Sequence, residues 1–430
     1  MKKPLAWTAA ALAAATLGAA TPAAAQDTMK LGVVTFLTGA AAGPFGIPAR
    51  NAAELVVEAI NNGALPAPHN AKGIGGAAVE MILVDEAGQV TQVVQEFRNL
   101  IERRGAEAVV GYVSSGNCLG VAPVAEELKR VTVFFDCGTP RIFEEGPKTY
   151  VFRTSATATI DSLGAARYVA DKIKNLKSYG GINQNYAWGQ DSWRDFTLAM
   201  QVLKPGSKVT TEQFPKLFAG QYSSEISALF LSNSDAVHTS LWGGDLEAFI
   251  QQGAARDLHN KTKLVLSTGE TAMFRMGAKM PDGMVIGARG PYGVFANASP
   301  LNDWLQKAFS DRYGTPPTYP SYHMANAILG LKVAADKAAA AAGKKPTPEQ
   351  VAKSFEYLEY DGFGTKIALK IGKGHQAVTE TAYGTYKFDK STGTPSIVDV
   401  IRYPASCVNA PEGVDSVEWI KAGMKGAVCN

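Results

Sequence analysis

Short apolar runs alternate with helix-like segments along the first part of this chain. The predicted strands are 29–36, 79–84, 108–112 and 131–135, and the predicted helices between them are 48–62, 89–104 and 120–130. This order requires parallel strands joined by right-handed crossovers, with helices on both faces of the sheet. The alternation starts again at residue 161 and continues to residue 288. We therefore predict an α/β fold with two doubly wound parallel-sheet lobes joined by a hinge.

The first 25 residues have the composition of a secretory signal peptide. Two lysines follow the initial methionine, an Ala-rich apolar run comes next, and three alanines precede the expected cleavage site after Ala25. Loss of Lys2 and Lys3 lowers the formal net charge from +3 to +1, which gives no indication of a nucleic-acid partner. No later stretch reaches the roughly 20 apolar residues of a membrane span. We expect a periplasmic protein that begins near Gln26.

The remaining chain is too long for one ordinary core, so two domains are expected. The expected division is a signal peptide at 1–25, a first lobe at 26–154 plus about 285–345, a second lobe at 155–284 plus about 346–400, and a C-terminal tail at 401–430. Strand-like alternation at 366–371 and 382–388 predicts a hairpin or small sheet that closes the fold. A ligand would lie in the cleft between the lobes.

Four cysteines indicate disulfides in an exported protein. Cys407 and Cys429 bracket the C-terminal tail and are expected to be joined. Cys118 and Cys137 follow two successive predicted strands, which is equally consistent with a second disulfide and with two buried thiols. No Cys-x-x-Cys and no histidine pair at metal-ligand spacing occurs, which disfavours a zinc site. No cofactor is expected.

The segment 106–118 carries the first candidate binding loop. Apolar residues 108–112 predict a buried strand, and Ser114 and Ser115 follow where a helix is about to begin. Ligands of open α/β sheets bind outside the carboxyl ends of the strands. The amides of a Ser-Ser-Gly turn entering a helix can hold an anion such as a carboxylate. The alternative is that Ser114 and Ser115 only cap the helix.

Six loop motifs occur in order along the predicted fold. They are Gly43-Pro44-Phe45-Gly46, Ser114-Ser115, Cys137-Gly138-Thr139, Asn185-Tyr186-Ala187-Trp188-Gly189, Trp242-Gly243-Gly244-Asp245 and Thr268-Gly269-Glu270. Together they resemble the periplasmic solute-binding proteins of the leucine/isoleucine/valine-binding type. These proteins are the receptors of ABC importers, with a type I periplasmic binding protein fold. The resemblance covers nearly the whole chain after the signal peptide.

In the first lobe, the resemblance implies that Phe45 is an aromatic wall over the ligand. It implies that Ser114 and Ser115 supply the hydroxyl and amides that take a ligand carboxylate. The loop with Cys137 and Thr139 would supply a threonine and a backbone carbonyl to the carboxylate and the ammonium of an amino acid.

In the second lobe, the resemblance implies that Tyr186 closes over the ligand and that Glu270 pairs with an amino group. A solvated loop carboxylate is the alternative for Glu270. Trp242 lies in the loop that supplies a second aromatic wall, but Asp245 stands where an aromatic is expected. The added surface of Trp188 and Trp242 suits flat ligands. The expected ligand is a small carboxylate-bearing solute, a branched-chain or other amino acid, with an aromatic acid as the alternative.

An exported serine hydrolase is the rival function, since Ser114 or Ser115 could act as a nucleophile. Such an enzyme needs a base within hydrogen-bond reach. No Gly-x-Ser-x-Gly elbow surrounds these serines, and the five histidines are scattered without a motif. The sequence therefore favours a binding protein over an enzyme. The expected partner is an ABC permease in the inner membrane, and the expected state is a monomer.

Overall fold

A computed structural model of the chain describes Met1 and residues 28–429. The predicted signal peptide at 1–25 lies outside this part, apart from Met1. The described chain contains two β-sheets flanked by helices, one in each of two lobes. This arrangement confirms the predicted fold class.

The elements alternate along both halves of the chain, as the sequence predicts. The strands are β1 (Thr28–Thr35), β2 (Ala78–Asp85), β3 (Ala108–Gly111), β4 (Thr132–Phe134), β5 (Val151–Arg153), β6 (Ser178–Ile182), β7 (Lys208–Gln213), β8 (Ala236–Thr239), β9 (Lys263–Leu266), β10 (Val285–Gly287), β11 (Glu359–Asp361), β12 (Lys366–Lys370), β13 (Gln376–Val378), β14 (Thr381–Asp389) and β15 (Thr394–Tyr403). The helices are α1 (Ile47–Asn62), α2 (Val90–Glu102), α3 (Ser115–Glu127), α4 (Arg141–Glu144), α5 (Ala158–Lys172), α6 (Ala187–Leu203), α7 (Ser223–Ser232), α8 (Gly244–Ala254), α9 (Leu258–Lys261), α10 (Glu270–Met276), α11 (Pro300–Tyr313), α12 (Tyr319–Ala342), α13 (Pro348–Phe355), α14 (Ile371–Gly374), α15 (Ala405–Val408) and α16 (Ser416–Lys421).

The first sheet has its strands in the order β11-β12-β13-β5-β4-β3-β1-β2. β1 lies between β2 and β3, parallel to both, with Val33 opposite Leu83 on one side and Val110 on the other. Leu31 and Val33 are fully buried, and every residue of β3 is buried. Strands buried on both faces read as continuous apolar runs, which is why their positions could be predicted.

The second sheet has the order β15-β14-β10-β9-β8-β6-β7. Its strands β6, β7, β8, β9 and β10 pair in parallel. β14 runs antiparallel to β10 and to β15. The second lobe therefore repeats the parallel core of the first and adds an antiparallel pair at one edge.

The chain after β10 divides between the lobes differently from the prediction. Residues 346–400 were expected in the second lobe. β14 and β15 do lie in the second sheet, but β11, β12 and β13 join the first sheet, where Gln376 lies opposite Arg153. The return to the first lobe was expected at about 285, yet β10 pairs with β9 in the second sheet. The segments expected to form a hairpin or a small sheet together, β12 and β14, lie in different sheets. Alternation identifies a strand with one buried face, but it does not specify the pairing partner.

Both cysteine pairs form disulfides. Cys407 is bonded to Cys429, as predicted. Cys118 in α3 is bonded to Cys137 after β4, so the alternative of two buried thiols is excluded. Between residues 28 and 429, no helix combines the length and apolar character needed to cross a bilayer.

Candidate functional site

A closed cleft between the lobes contains a narrow cavity near strand ends of both sheets. Its first-lobe walls are Phe45, Val113, Asp136, Gly138 and Tyr319, and its second-lobe walls are Tyr186, Trp188, Trp242, Thr268 and Arg289. The cavity volume is about 10 Å³, which is close to the roughly 10–15 Å³ that a single water molecule needs. The lobes are therefore closed, and a solute enters only when they separate.

Three of the predicted ligand-binding residues, Phe45, Tyr186 and Trp242, line this cavity. The ring centroids of Phe45 and Trp242 lie 5.2 Å apart in an edge-to-face arrangement that joins the two lobes. Trp242 Nε1 donates a hydrogen bond of 2.8 Å to the Tyr186 hydroxyl. Burial raises the pKa of Tyr186 well above its ordinary value. Tyr186 therefore keeps its own proton, and this proton is free to be donated to a ligand.

The turn predicted to hold a ligand carboxylate holds an internal carboxyl group instead. Glu86, which follows β2, accepts hydrogen bonds from the amides of Val113 (2.7 Å) and Ser114 (2.8 Å) and from Asn117 Nδ2 (3.0 Å). Burial raises the pKa of Glu86 to about 8, although these hydrogen bonds act in the opposite direction. The turn therefore binds a carboxyl group through its amides, but that group belongs to the protein and is mostly protonated at neutral pH.

Neither serine of this turn lines the cavity, and α3 begins at Ser115 rather than near residue 120. The Ser114 side chain makes no capping hydrogen bond, contrary to the capping alternative. Ser115 Oγ accepts hydrogen bonds from the amides of Gly138 (3.1 Å) and Thr139 (3.2 Å). Ser115 therefore supports a wall of the cavity from behind.

Cys137 and Thr139 also lie behind the wall rather than on it. The Cys137 sulfur is in the disulfide with Cys118. The Thr139 hydroxyl donates to Asp191 Oδ2 of α6 at 2.7 Å. Because Asp191 belongs to the second lobe, Thr139 makes a contact that holds the lobes together in the closed form.

Asp245 organises loops of the second lobe and does not line the cavity. Its Oδ2 accepts from Gln184 Nε2 (2.6 Å) and from the Phe218 amide (2.7 Å), and its Oδ1 accepts from the Gly220 amide (3.1 Å). These bonds fix the loops after β6 and β7 against the first turn of α8. An aromatic side chain could not make these contacts, which accounts for the departure from the family pattern.

Glu270 is fully buried but is likewise not a cavity wall. Its Oε2 accepts a hydrogen bond of 2.9 Å from the amide of Tyr319, the first residue of α12 in the first lobe. A Cβ atom at Gly293 would lie 1.9 Å from Glu270 Oε1, so the chain needs a glycine there. Burial raises the pKa of Glu270 to about 8, although the amides of Tyr319 and Val294 act in the opposite direction. In this closed form Glu270 caps a helix rather than facing an amino group.

A buried charged cluster centred on Arg289 was not predicted from the sequence. Arg289 Nε donates to Asp161 (3.0 Å), Nη2 to the Ala156 carbonyl (2.9 Å), and Nη1 to both the carbonyl and the carboxylate of Asp136. His323 Nδ1 lies 2.7 Å from Asp136 Oδ1. Burial disfavours the Arg289 cation, but Asp136 and Asp161 raise the pKa of Arg289 above its usual range. The guanidinium therefore remains charged inside the closed cleft.

Three walls that were not predicted, and Trp188, whose ring was expected to suit a flat ligand, differ in how clearly the sequence marks them. Arg289 directly follows residue 288, where the predicted alternation ends, and this position at a strand's carboxyl end is a usable signal. Trp188 and Gly138 stand within the fourth and third loop motifs. Tyr319 begins a helix and carries no such signal, yet its hydroxyl is buried and has no hydrogen-bond partner among the described residues.

The chemistry of the cleft is that of aromatic faces, one cation and one carboxylate. The guanidinium of Arg289 lies over the Trp188 ring at 4.5 Å from its centroid. Asp136 Oδ2 is buried and has no hydrogen-bond partner within residues 28–429. Across the part of the chain that the structure describes, no group of three or more His, Cys, Asp and Glu side chains could hold a metal ion.

Residues 28–392 match the family model described as periplasmic binding protein. No curated protein sequence matches the chain. One similar solved structure is an ABC transporter solute-binding protein from Rhodopseudomonas palustris BisB5 in complex with 3,4-dihydroxybenzoic acid. It is 19% identical in sequence, the match covers 90% of this chain and 99% of that one, and the TM-score is 0.76. A second R. palustris solute-binding protein, in complex with benzoate, has 18% identity, coverage of 90% and 98%, and a TM-score of 0.73.

A leucine-binding protein from Thermotoga maritima has 18% identity, coverage of 87% and 98%, and a TM-score of 0.70. At these identities, the similarity to solved structures shows a common fold. The family model extends over most of the chain and over both lobes. The chain therefore belongs to the periplasmic binding protein family.

Proposed function

We propose that this protein is the periplasmic solute receptor of an ABC importer, and that it captures a small aromatic carboxylate by closing its two lobes. Membership of the binding-protein family supports the receptor role. The observation that carries the ligand class is the composition of the cleft, where five aromatic rings and one buried guanidinium surround a narrow cavity. Large stiff rings bind flat apolar surfaces, and guanidinium groups bind carboxylates.

Three hydrogen-bond donors of the cleft are suited to the carboxylate. Arg289 uses four of its five N–H groups on Asp136, Asp161 and Ala156, which leaves one on Nη2. The Tyr186 hydroxyl accepts from Trp242 and retains its own proton. The Tyr319 hydroxyl has no partner among the described residues. Tyr319 belongs to the first lobe, and Arg289 and Tyr186 belong to the second. A carboxylate bound by all three would therefore join the lobes.

Closure is the step that turns binding into a signal for the permease. A ligand that contacts both lobes interacts better with the closed form than with an open one and shifts the population toward it. Contacts that already cross the cleft, such as Thr139 to Asp191 and Glu270 to the Tyr319 amide, define the geometry of that closed form. The permease would recognise this form.

An aromatic amino acid is the second candidate ligand, and one observation favours it. Asp136 Oδ2 is a buried acceptor without a partner among the described residues, and Asp136 lines the cavity. An ammonium group could occupy that position, and so could the hydroxyl of a phenolic acid. The branched-chain amino acid expected from the sequence has less support, because Glu270 does not line the cavity and its Oε2 is engaged with the Tyr319 amide.

A thermal-shift panel of the mature protein tests both parts of this proposal. The matched pair is phenylalanine and 3-phenylpropanoate, which differ only in the amino group, together with benzoate, 4-hydroxybenzoate and leucine. A ligand at 100 times its Kd stabilises the native state by about 2.7 kcal/mol. We expect the aromatic carboxylates without an amine to raise the melting temperature. A shift with amino acids alone would overturn the ligand class, and no shift with any carboxylate would count against the receptor role.

The variant Glu270→Gln distinguishes the two roles considered for this residue. If Glu270 only caps α12, the substitution should change binding of phenylalanine and of 3-phenylpropanoate by the same factor. A loss confined to phenylalanine would instead show that Glu270 meets the ligand's ammonium.

A further inference from the structure

The hinge contains a second cavity, separate from the ligand cleft. Its walls include Arg153 at the end of β5, Glu144 of α4, Thr157 and Thr159 at the start of α5, and Asn409 of the C-terminal tail. The cavity volume is about 20 Å³, and about 10–15 Å³ is enough for one water-sized group. The walls come from both lobes.

Arg153 is fully buried and only part of its guanidinium is satisfied. Its Nη1 donates to the carbonyls of Cys137 and Thr139, both at 2.8 Å, and its Nε donates to Gln376 Oε1. Its Nη2 is buried and has no hydrogen-bond partner among residues 28–429. Burial lowers the pKa of Arg153 to about 9, so the group is still a cation at neutral pH. A buried cation is costly unless a negative charge accompanies it.

The start of α5 adds a second source of positive potential to the same cavity. α5 is a helix of 15 residues whose N-cap, Thr157, accepts a hydrogen bond from the Ile160 amide. The N-terminus of a helix carries the positive end of its dipole, and at the start of α5 the amides of Ala158 and Ile160 already donate to the Gly138 carbonyl and the Thr157 hydroxyl. Thr157, Thr159 and Ile160 all line the cavity. Arg153 and the helix therefore favour negative charge at one place.

We propose that the hinge cavity binds one monovalent anion of halide size, such as chloride, between Arg153 and the start of α5. The small volume excludes larger anions, and the unpartnered Nη2 supplies a charged donor. The site does not depend on the identity of the transported solute, because none of its walls is a wall of the ligand cleft.

The cavity also contains two hydrogen-bond acceptors, Glu144 and Asn409 Oδ1, which favour a water molecule over an anion. The experiments below therefore distinguish an anion from water. Glu144 accepts hydrogen bonds from the amide and hydroxyl of Ser416, and burial raises its pKa to about 7. Glu144 is therefore only partly charged at neutral pH. Asn409 Oδ1 has no partner among the described residues, while Asn409 Nδ2 donates to two carbonyls.

Crystals of the mature protein grown with sodium bromide provide the direct test. We expect an anomalous bromide peak within hydrogen-bonding distance of Arg153 Nη2. Density without anomalous signal would identify a water molecule and overturn the proposal, as would an empty cavity.

Thermal denaturation tests bromide binding to the same cavity in solution. At constant ionic strength, replacing sodium gluconate by sodium bromide should raise the melting temperature in a saturable way. This response should be lost in Arg153→Met. A crystal peak without a solution response would be binding at crystal concentration only and would also count against the site.

Glu144→Gln keeps the proposal testable if Arg153→Met does not fold. At about pH 8, where Glu144 is mostly charged, removing that charge should lower the bromide Kd at least about threefold. The matched control Glu145→Gln changes an exposed neighbour and should leave the bromide Kd unchanged. An unchanged or higher Kd in Glu144→Gln would contradict an anion in this cavity.

Discussion

Adding a single methyl group at Gly138 should hinder closure of the lobes while leaving the folding of the ligand-free protein nearly unchanged. A Cβ atom at Gly138 would lie 2.2 Å from Trp188 Cζ3 and 2.6 Å from Arg289 Nη2. Gly138 belongs to the first lobe, whereas Trp188 and Arg289 belong to the second. The clash therefore exists only when the lobes are closed.

Overpacking of this kind typically costs about 1–3 kcal/mol. Because 1.4 kcal/mol corresponds to a factor of ten in Kd, Gly138→Ala should weaken solute binding about 5- to 140-fold. The unfolding free energy of the ligand-free protein should change by less than about 0.5 kcal/mol, since an open form avoids the contact.

Isothermal titration calorimetry with the best ligand of the panel, and urea denaturation without ligand, measure the two quantities. Gly206→Ala is the matched control, because a Cβ atom there would meet nothing within 4 Å. An unchanged Kd in Gly138→Ala would refute the close approach of the lobes. Equal losses of binding and of ligand-free stability would show that Gly138 matters for folding rather than closure.

Three further substitutions test other parts of the structure. Trp242→Leu removes the ring that contacts Phe45 and the donor to Tyr186, so calorimetry should give about tenfold weaker binding; an unchanged Kd would remove Trp242 from the ligand wall. Replacing both Cys407 and Cys429 by serine should lower the unfolding free energy in urea by about 3 kcal/mol while solute binding is retained, and a loss of binding would show that the tail shapes the cleft. Burial raises the pKa of Glu86 to about 8, so the folded protein retains a proton that the unfolded chain loses above about pH 4.5, and stability should fall as pH rises to about 8. Glu86→Gln should flatten that fall in urea denaturation, and a steeper fall would contradict it.

The parallel parts of both sheets could be predicted because their strands are buried on two faces. The predicted strand 108–112 is an apolar run whose short length favours a buried strand over a helix, and β3 lies there, inside the first sheet. Of the strands near the C-terminus, β12 and β14 were predicted but assigned to each other, whereas β11, β13 and β15 were not predicted. Lys366–Lys370 and Thr381–Asp389 have similar alternation, and only the course of the chain through the hinge sends them to different sheets.

Part of the candidate site could also be predicted from the sequence. Phe45 lies in a helical turn, Ala42–Gly46, and Tyr186 and Trp242 lie in short loops, and all three line the cavity. The role expected for Ser114 depended on free amides, and the sequence did not reveal that Glu86 would occupy them. Arg289 reaches the cleft from the segment after β10, so its position depends on how the lobes close.

Small-angle X-ray scattering with and without ligand tests the central claim most directly. The radius of gyration of the mature protein should decrease when a saturating aromatic carboxylate from the panel is added. Gly138→Ala should show a smaller decrease at the same occupancy. An unchanged radius of gyration, with binding confirmed by calorimetry, would contradict capture by lobe closure.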